Sequence, residues 1–242
     1  MDLSNLLGEF LGTMTLVSFG DGVVANLLLK DSKGNGAGWV HVNWGWAFSV
    51  MMGVYVASAF GAPQADINPV VTIFKFLAGT AGYGAGQTLL TIIAQMCGGI
   101  VGGVIVYLLY FNHWAATEDP GLKLAVFSTG PARRNIGPNV MTEAIATFFL
   151  IMGIQCIFKG PVADGLGPFL VGGLIYVLGS AMGGPTGYSL NPARDMGPRI
   201  AHAFLPIPGK GPNDWQYGLI VASGGPLIGA LVAVLAYMMA GF

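Results

Sequence analysis

The sequence predicts an all-α integral membrane protein with six transmembrane helices and two re-entrant half-helices arranged as an inverted repeat. Three observations predict it. Of the 242 residues, 54% are hydrophobic and only 9% are charged, against about 25% charged in a soluble globular domain. Six apolar stretches are each long enough to approach or cross a hydrocarbon core that takes about 20 helical residues. Two shorter apolar segments, each opening on Asn-Pro, match one another across the two halves of the chain.

The elements follow in order. The first span, 5–29, carries Glu9, and the second covers 41–60. The first half-helix, 68–79, opens with Asn68 as N-cap and Pro69 at the first helical position. Asn offers its side-chain oxygen to the free N–H groups there, and Pro has no N–H to leave unpaired. The third span, 85–110, contains Gly98, Gly99, Gly102 and Gly103, small residues that allow close helix contact. A polar stretch, 111–139, connects the halves. The order then recurs: spans 140–160 with Glu143 and 166–183, half-helix 191–203 opening on Asn191-Pro192, and a last span 216–240 with Gly224, Gly225 and Gly229.

The halves align by residue. "GEFLGTMTLV" (8–17) resembles "TEAIATFFLI" (142–151), which sets Glu9 opposite Glu143. "YVASAFGAPQADINP" (55–69) resembles "YVLGSAMGGPTGYSLNP" (176–192), and "AQMCGGIVGG" (94–103) resembles "ASGGPLIGAL" (222–231). Each half holds three full spans, so the second must cross the membrane in the opposite sense. The chain is one transmembrane domain, 1–242, with repeat halves at about 1–112 and 139–242 joined by a connecting loop at about 113–138. Two half-helices of opposite direction then meet at their N-termini near the midplane. The segments leading into them, "GAPQAD" and "GGPTGYS", are non-helical backbone at membrane depth, which must be buried in protein or line a wet cavity.

The remaining composition excludes several classes. A net charge of −1 without a basic stripe argues against nucleic acid. Cys97 and Cys156 sit in apolar runs with no metal spacing, so neither a metal, another cofactor nor a disulfide is expected. "MDLSNLLGEF" lacks the basic region of a signal peptide and reads as the start of the first span. His41, His113 and His202 show no mutual spacing and read as loop or interface residues. Arg194 lies at membrane depth, where a charge is expensive and marks a functional site.

Two Asn-Pro half-helices, a Glu in the first helix of each half, and "SLNPARDMGPR" resemble the major intrinsic protein family, in its glycerol-facilitator (aquaglyceroporin) branch. "LAVFSTGP" in the middle segment resembles that family's central loop. The resemblance implies a passive channel rather than an enzyme. It carries glycerol and other small neutral solutes with some water; urea, dihydroxyacetone, hydrogen peroxide and neutral small acids are further candidates. It also implies a homotetramer in the lipid bilayer of a plasma or bacterial inner membrane, with cytoplasmic termini.

The resemblance assigns residues too. The family's narrow selectivity region falls on Trp46, Gly179, Tyr188 and Arg194. Its pore-centre motifs fall on Asn68, Pro69 and Val70 and on Asn191, Pro192 and Ala193. Glycine at 179, where water channels carry His, implies room for a carbon skeleton; Trp46 and Tyr188 imply an aromatic corner for CH groups, and Arg194 a donor to hydroxyls. The preceding loop's carbonyls are expected to share Arg194's solvation. Glu9 and Glu143 are expected to accept from loop N–H groups, and Asp195 to point away from the pore and support the loop.

The chain departs from the family pattern in places. Val70 stands where Ala is usual, Asp66 where His is usual, Tyr188 where Phe is usual, and Ala222-Ser223 replaces a Pro-aliphatic pair. Asp66 is expected to face a water-filled vestibule and disfavour anions. Cytoplasmic termini place Lys75 and Lys159 inside but Lys30, Lys33, Lys123, Arg133, Arg134 and Lys210 outside, against the positive-inside rule. Rival readings are a secondary transporter, which needs an acidic or His relay beyond the two bracing glutamates, an intramembrane hydrolase, and a cation channel. The last is opposed because the charge expected at the constriction is positive.

Overall fold

The computed structural model describes residues 2–241. Among the described residues, six long helices, two half-helices and one short helix follow in order: α1 (Leu3–Leu28), α2 (Trp39–Ala59), half-helix α3 (Pro69–Leu77), α4 (Ala85–Leu109), α5 (Pro120–Phe127), α6 (Ile136–Lys159), α7 (Gly167–Met182), half-helix α8 (Pro192–Phe204) and α9 (Trp215–Ala240). The helix α5 lies in the connecting segment. Helices α1, α4, α6 and α9 are long and apolar enough to cross a membrane by length and composition alone. The other two long helices, α2 with 21 residues and α7 with 16, complete the six. At 1.5 Å per residue α7 is about 24 Å long, short of the hydrocarbon thickness. It ends early because the chain turns at Gly183 into the loop that leads to α8.

The helices pack as two related groups: α1 lies against α2 and α4, and α6 against α7 and α9. The half-helices fill the space between, α3 against α9 and α4, α8 against α4. Close approach there depends on glycine. A Cβ on Gly99 would lie 2.2 Å from the Ala193 carbonyl oxygen, so any side chain would push α8 off α4. Hydrophobicity does not distinguish the buried stripe, since lipid is as apolar as the interior; small residues and paired polar groups do.

Two features depart from the sequence reading. The connecting segment is not simply a polar loop. Trp114 and Phe127 within it are fully buried and stacked at 5.4 Å, and they join Tyr107 of α4 and Leu205 beyond α8 in one apolar cluster. Inside α9, Gly218–Ser223 forms a π-helical turn. Such a turn leaves a backbone group free of the regular ladder; here the Ala222 carbonyl accepts from Ser189 Oγ at 2.8 Å.

Candidate functional site

The two loops that enter α3 and α8 share an unusual backbone. Ala65 and Ile67 have φ of 43° and 44°, and Tyr188 and Leu190 have φ of 41° and 55°. Left-handed conformations at non-glycine residues cost roughly 1–3 kcal/mol each and persist only where their surroundings over-determine them. Two buried carboxylates do so. Glu9 accepts from the Asp66 and Ile67 N–H groups, both at 2.7 Å, and from Gln95 Nε2 at 2.9 Å. Glu143 accepts from the Ser189 and Leu190 N–H groups, both at 3.0 Å. A carboxyl group offers two oxygens side by side, so one side chain can accept from two successive N–H groups.

The loops deliver the half-helices N-terminus to N-terminus. Asn68 Oδ1 caps α3 by accepting from the Val70 N–H at 3.1 Å, and Asn191 Oδ1 caps α8 from Ala193 at 2.9 Å. Each amide also reaches across: Asn68 Nδ2 donates to Leu190 O at 3.0 Å and Asn191 Nδ2 to Ile67 O at 2.8 Å. An amide has two N–H groups, so one on each Asn is left for the cavity that both line. Pro69 and Pro192 occupy the first helical positions. Val70 is buried beside Phe74 and Ile151, and Ala193 is fully buried under α4. The larger side chain at position 70 is thus absorbed by packing and does not enter the cavity.

That cavity holds about 320 Å³. Its long-helix lining is mostly apolar, through Leu16, Val50, Leu150 and Ile175 with Gln155 as the polar exception; the half-helices and their loops add the donors Asn68, Asn191 and Arg194 beside apolar Ile67, Val71 and Leu190. Trp46, Tyr188 and Arg194 come together along it. The Arg194 guanidinium carbon lies 3.9 Å from the centroid of the Trp46 ring. Its Nη1 has no hydrogen-bond partner among the described residues, so the sharing of its charge with loop carbonyls that the sequence suggested is not seen at that atom. What faces Nη1 instead is the Asp21 carboxylate, at 3.7 Å.

Gly179 lies behind this wall and does not open onto the cavity. A Cβ there would meet Asn43 Oδ1 at 2.6 Å and Tyr188 Cζ at 2.7 Å. The space freed by the missing side chain is filled by the Tyr188 ring, which corrects the expectation that it accommodates solute directly. The Gly179 carbonyl accepts from Trp39 Nε1 at 3.1 Å, and Trp39 meets the Tyr188 ring edge-on at 5.8 Å.

Asp195 lies away from the cavity with no exposed surface. It accepts from the Thr129 N–H and Oγ1, both at 2.7 Å, and from Arg199 Nε at 2.9 Å. Arg199, which sequence reasoning did not single out, extends this network to the carbonyls of Thr129 at 3.0 Å and Asn213 at 2.7 Å. Both partners are fully buried; their mutual pairing lies within α8, and the other bonds tie α8 to the connecting segment or the approach to α9.

Three further expectations are corrected. Asp66 does not sit in a solvated vestibule. Its side chain has no exposed surface, pairs with Lys75 Nζ at 2.5 Å, and accepts from Thr72 Oγ1 at 2.9 Å. Its charge is spent on its own loop and half-helix, and the expected repulsion of anions loses its basis. His202 is not a loop or interface residue; it is fully buried in α8, with Nδ1 2.6 Å from Asn213 Oδ1 and its ring against Phe127. Asp21, third, is an intramembrane carboxylate beside the constriction, so positive charge is not alone there. The signal was present, since an acidic residue inside an apolar span marks a site by default.

Comparisons with known proteins give the family and the fold. The family described as Major intrinsic protein matches residues 2–237. The chain is 48% identical over 241 residues to a probable glycerol uptake facilitator protein of Thermotoga maritima, covering 97% of this chain and 98% of that one. It is 47% identical over 232 residues to glycerol uptake facilitator protein 3 of Lactiplantibacillus plantarum, covering 96% and 95%. The X-ray structure of the aquaglyceroporin from Plasmodium falciparum superposes with a TM-score of 0.84 at 24% identity, covering 97% and 95%.

Proposed function

The chain belongs to the major intrinsic protein family, and from that premise we propose that it is a passive channel for glycerol whose selectivity is set by Trp46, Gly179, Tyr188 and Arg194. It is a multi-pass membrane channel and not an enzyme. The observation that carries the reading is the two-sided character of the cavity lining: mostly apolar side chains from the long helices, and the hydrogen-bond donors Asn68, Asn191 and Arg194 at the starts of the half-helices. A polyol has the same division, carbon on one edge and hydroxyls on the other.

A solute hydroxyl gives up water on entry and is compensated first by Arg194, then by the free amide N–H groups of Asn68 and Asn191. A hydrogen bond to a charged donor is worth about 1.5–3 kcal/mol net, enough to offset part of the dehydration. The carbon edge lies on Trp46 and Tyr188, with Gly179 letting the tyrosine ring sit back from the axis. The two half-helix N-termini carry partial positive charge toward the centre, which opposes cations and hydronium. Passage is downhill and uncoupled. Water, urea, dihydroxyacetone, hydrogen peroxide and neutral small acids fit the same lining. Four chains assemble with separate pores, and the termini are cytoplasmic; family likeness supports both statements, while the distribution of Lys and Arg runs against that orientation.

The test is stopped-flow solute uptake by proteoliposomes. Glycerol flux is expected to remain unsaturated to high concentration, with a low activation energy and no response to ion gradients. Saturation together with dependence on a sodium or proton gradient would replace the channel with a transporter.

A further inference from the structure

We propose that Asp21 is a fifth residue of the constriction: a buried counter-charge that positions the Arg194 guanidinium and sets the net charge a solute meets there. This rests on the selectivity reading above and goes beyond its four positions.

Asp21 lies within α1 and has no exposed surface. A carboxylate in such a place is costly unless it is paired or hydrogen-bonded. Glu9 and Glu143 meet that condition by accepting two loop N–H groups each. Asp21 does not: neither of its oxygens has a hydrogen-bond partner among the described residues. It is therefore no loop brace. The cation facing it is Arg194, with Nη1 3.7 Å from Asp21 Oδ1. The nearby Asp195 is already taken up by Arg199 and Thr129.

The adjacent residue shows that this stretch of α1 is shaped around the constriction. A Cβ on Gly20 would lie 2.2 Å from Trp46 Cζ3, so the indole ring rests directly on the helix backbone at that point. Arg194 then lies between the ring face that Gly20 seats and the carboxylate that Asp21 supplies. At 3.7 Å the contact is ionic without being a hydrogen bond. The guanidinium is held in place through its buried Nη1, while the rest of the group, which lines the cavity, can donate to a solute hydroxyl. Asp21 has no contact with the solute; it acts through Arg194 and is a positioning residue.

The consequence concerns charge. Arg194 alone would present a full positive charge at the narrowest point, attracting small anions. With Asp21 behind it the formal charges sum to zero, and neither sign of ion is drawn in. Neutral solutes are served equally well, because the N–H donors are unchanged.

The experiment uses the full chain in proteoliposomes, as wild type, D21N, R194Q and D21N/R194Q. Chloride and potassium fluxes are each measured relative to glycerol flux. One uncompensated charge at this range is expected to change a relative ion flux by about tenfold or more. D21N should raise chloride, R194Q should raise potassium, and the double variant should return both to near the wild-type ratio. An R194Q potassium leak that persists unchanged in D21N/R194Q would overturn the role of Asp21, as would D21N without effect on chloride. If R194Q alters neither ion flux nor discrimination among polyols, the selectivity reading fails and this one with it. If either single variant fails to insert, the double variant, which leaves no unpaired charge, should regain insertion; its failure would also overturn the proposal.

Discussion

The loops before α3 and α8 have nearly the same backbone and carry nearly opposite loads. Both hold alternate left-handed residues, both are held by a glutamate from the first helix of their half, and both end in a capped Asn-Pro turn. Around the first, charge closes on itself: Asp66 pairs with Lys75, and Gln95 links Glu9 to Thr72. Around the second, one arginine is committed to structure and another is not. Arg199 is saturated by Asp195 and loop carbonyls, whereas Arg194 has a free Nη1, an aromatic face and a distant carboxylate. Shared geometry therefore marks the scaffold, and the residue left incompletely bonded marks the site.

Removing the braces should break the comparison most severely. Glu143→Ala leaves two buried N–H groups without acceptors, and Glu9→Ala leaves two N–H groups and the Gln95 amide. At about 1–3 kcal/mol for each unsatisfied group, both variants should lose folded protein in detergent, Glu9→Ala the more so. Size-exclusion profiles after graded heating check this. Equal tolerance of both variants would mean that the loops hold their shape without the carboxylates.

Gly179→His is expected to have the next largest effect, confined to the second loop. Its Cβ alone meets Tyr188 within 2.7 Å, so the ring must move toward the pore axis. Glycerol flux should fall far more than water flux, and an equal fall of both would remove Tyr188 from the selectivity wall.

Asp66→Asn tests the first loop. Half of a largely buried ion pair is lost, but Lys75 keeps its bonds to Gln64 and some exposure. A stability loss of about 1–3 kcal/mol is expected, visible as an earlier thermal transition. The ratio of lactate to glycerol permeability should not change; a shift in that ratio would return Asp66 to the pore.

Tyr188→Phe should do least. The phenol oxygen has no hydrogen-bond partner among the described residues, so stability should stay within about 0.5 kcal/mol of wild type, as for a substitution that breaks no bond. Relative fluxes of polyols of different length should shift slightly, and a large loss of folded protein would reveal a structural bond to that hydroxyl.

What the sequence determined by itself was the membrane class, the six spans, the half-helices and their caps. These depend on local quantities: run length, an Asn followed by Pro, a carboxylate in an apolar segment. Glu9 and Glu143 were legible because each repeats at the same place in its half. Asp21 was overlooked because the matching place in the second half holds the uncharged Gln155 and not a second carboxylate, although its position in an apolar span was itself a sign. Other features were decided only in three dimensions. The pairing of Asp66 with Lys75 joins residues nine apart across a bend, and the burial of Trp114 and Phe127 depends on α4 and the end of α8 arriving over them. Whether Gly179 opens space for solute or for Tyr188 depends on which neighbour reaches it first. The distance from Asp21 to Arg194 spans 173 residues of chain. Sequence spacing carries no record of such a contact, because electrostatic pairing depends on through-space distance and on the water excluded between the partners, and both are set by the packing of helices.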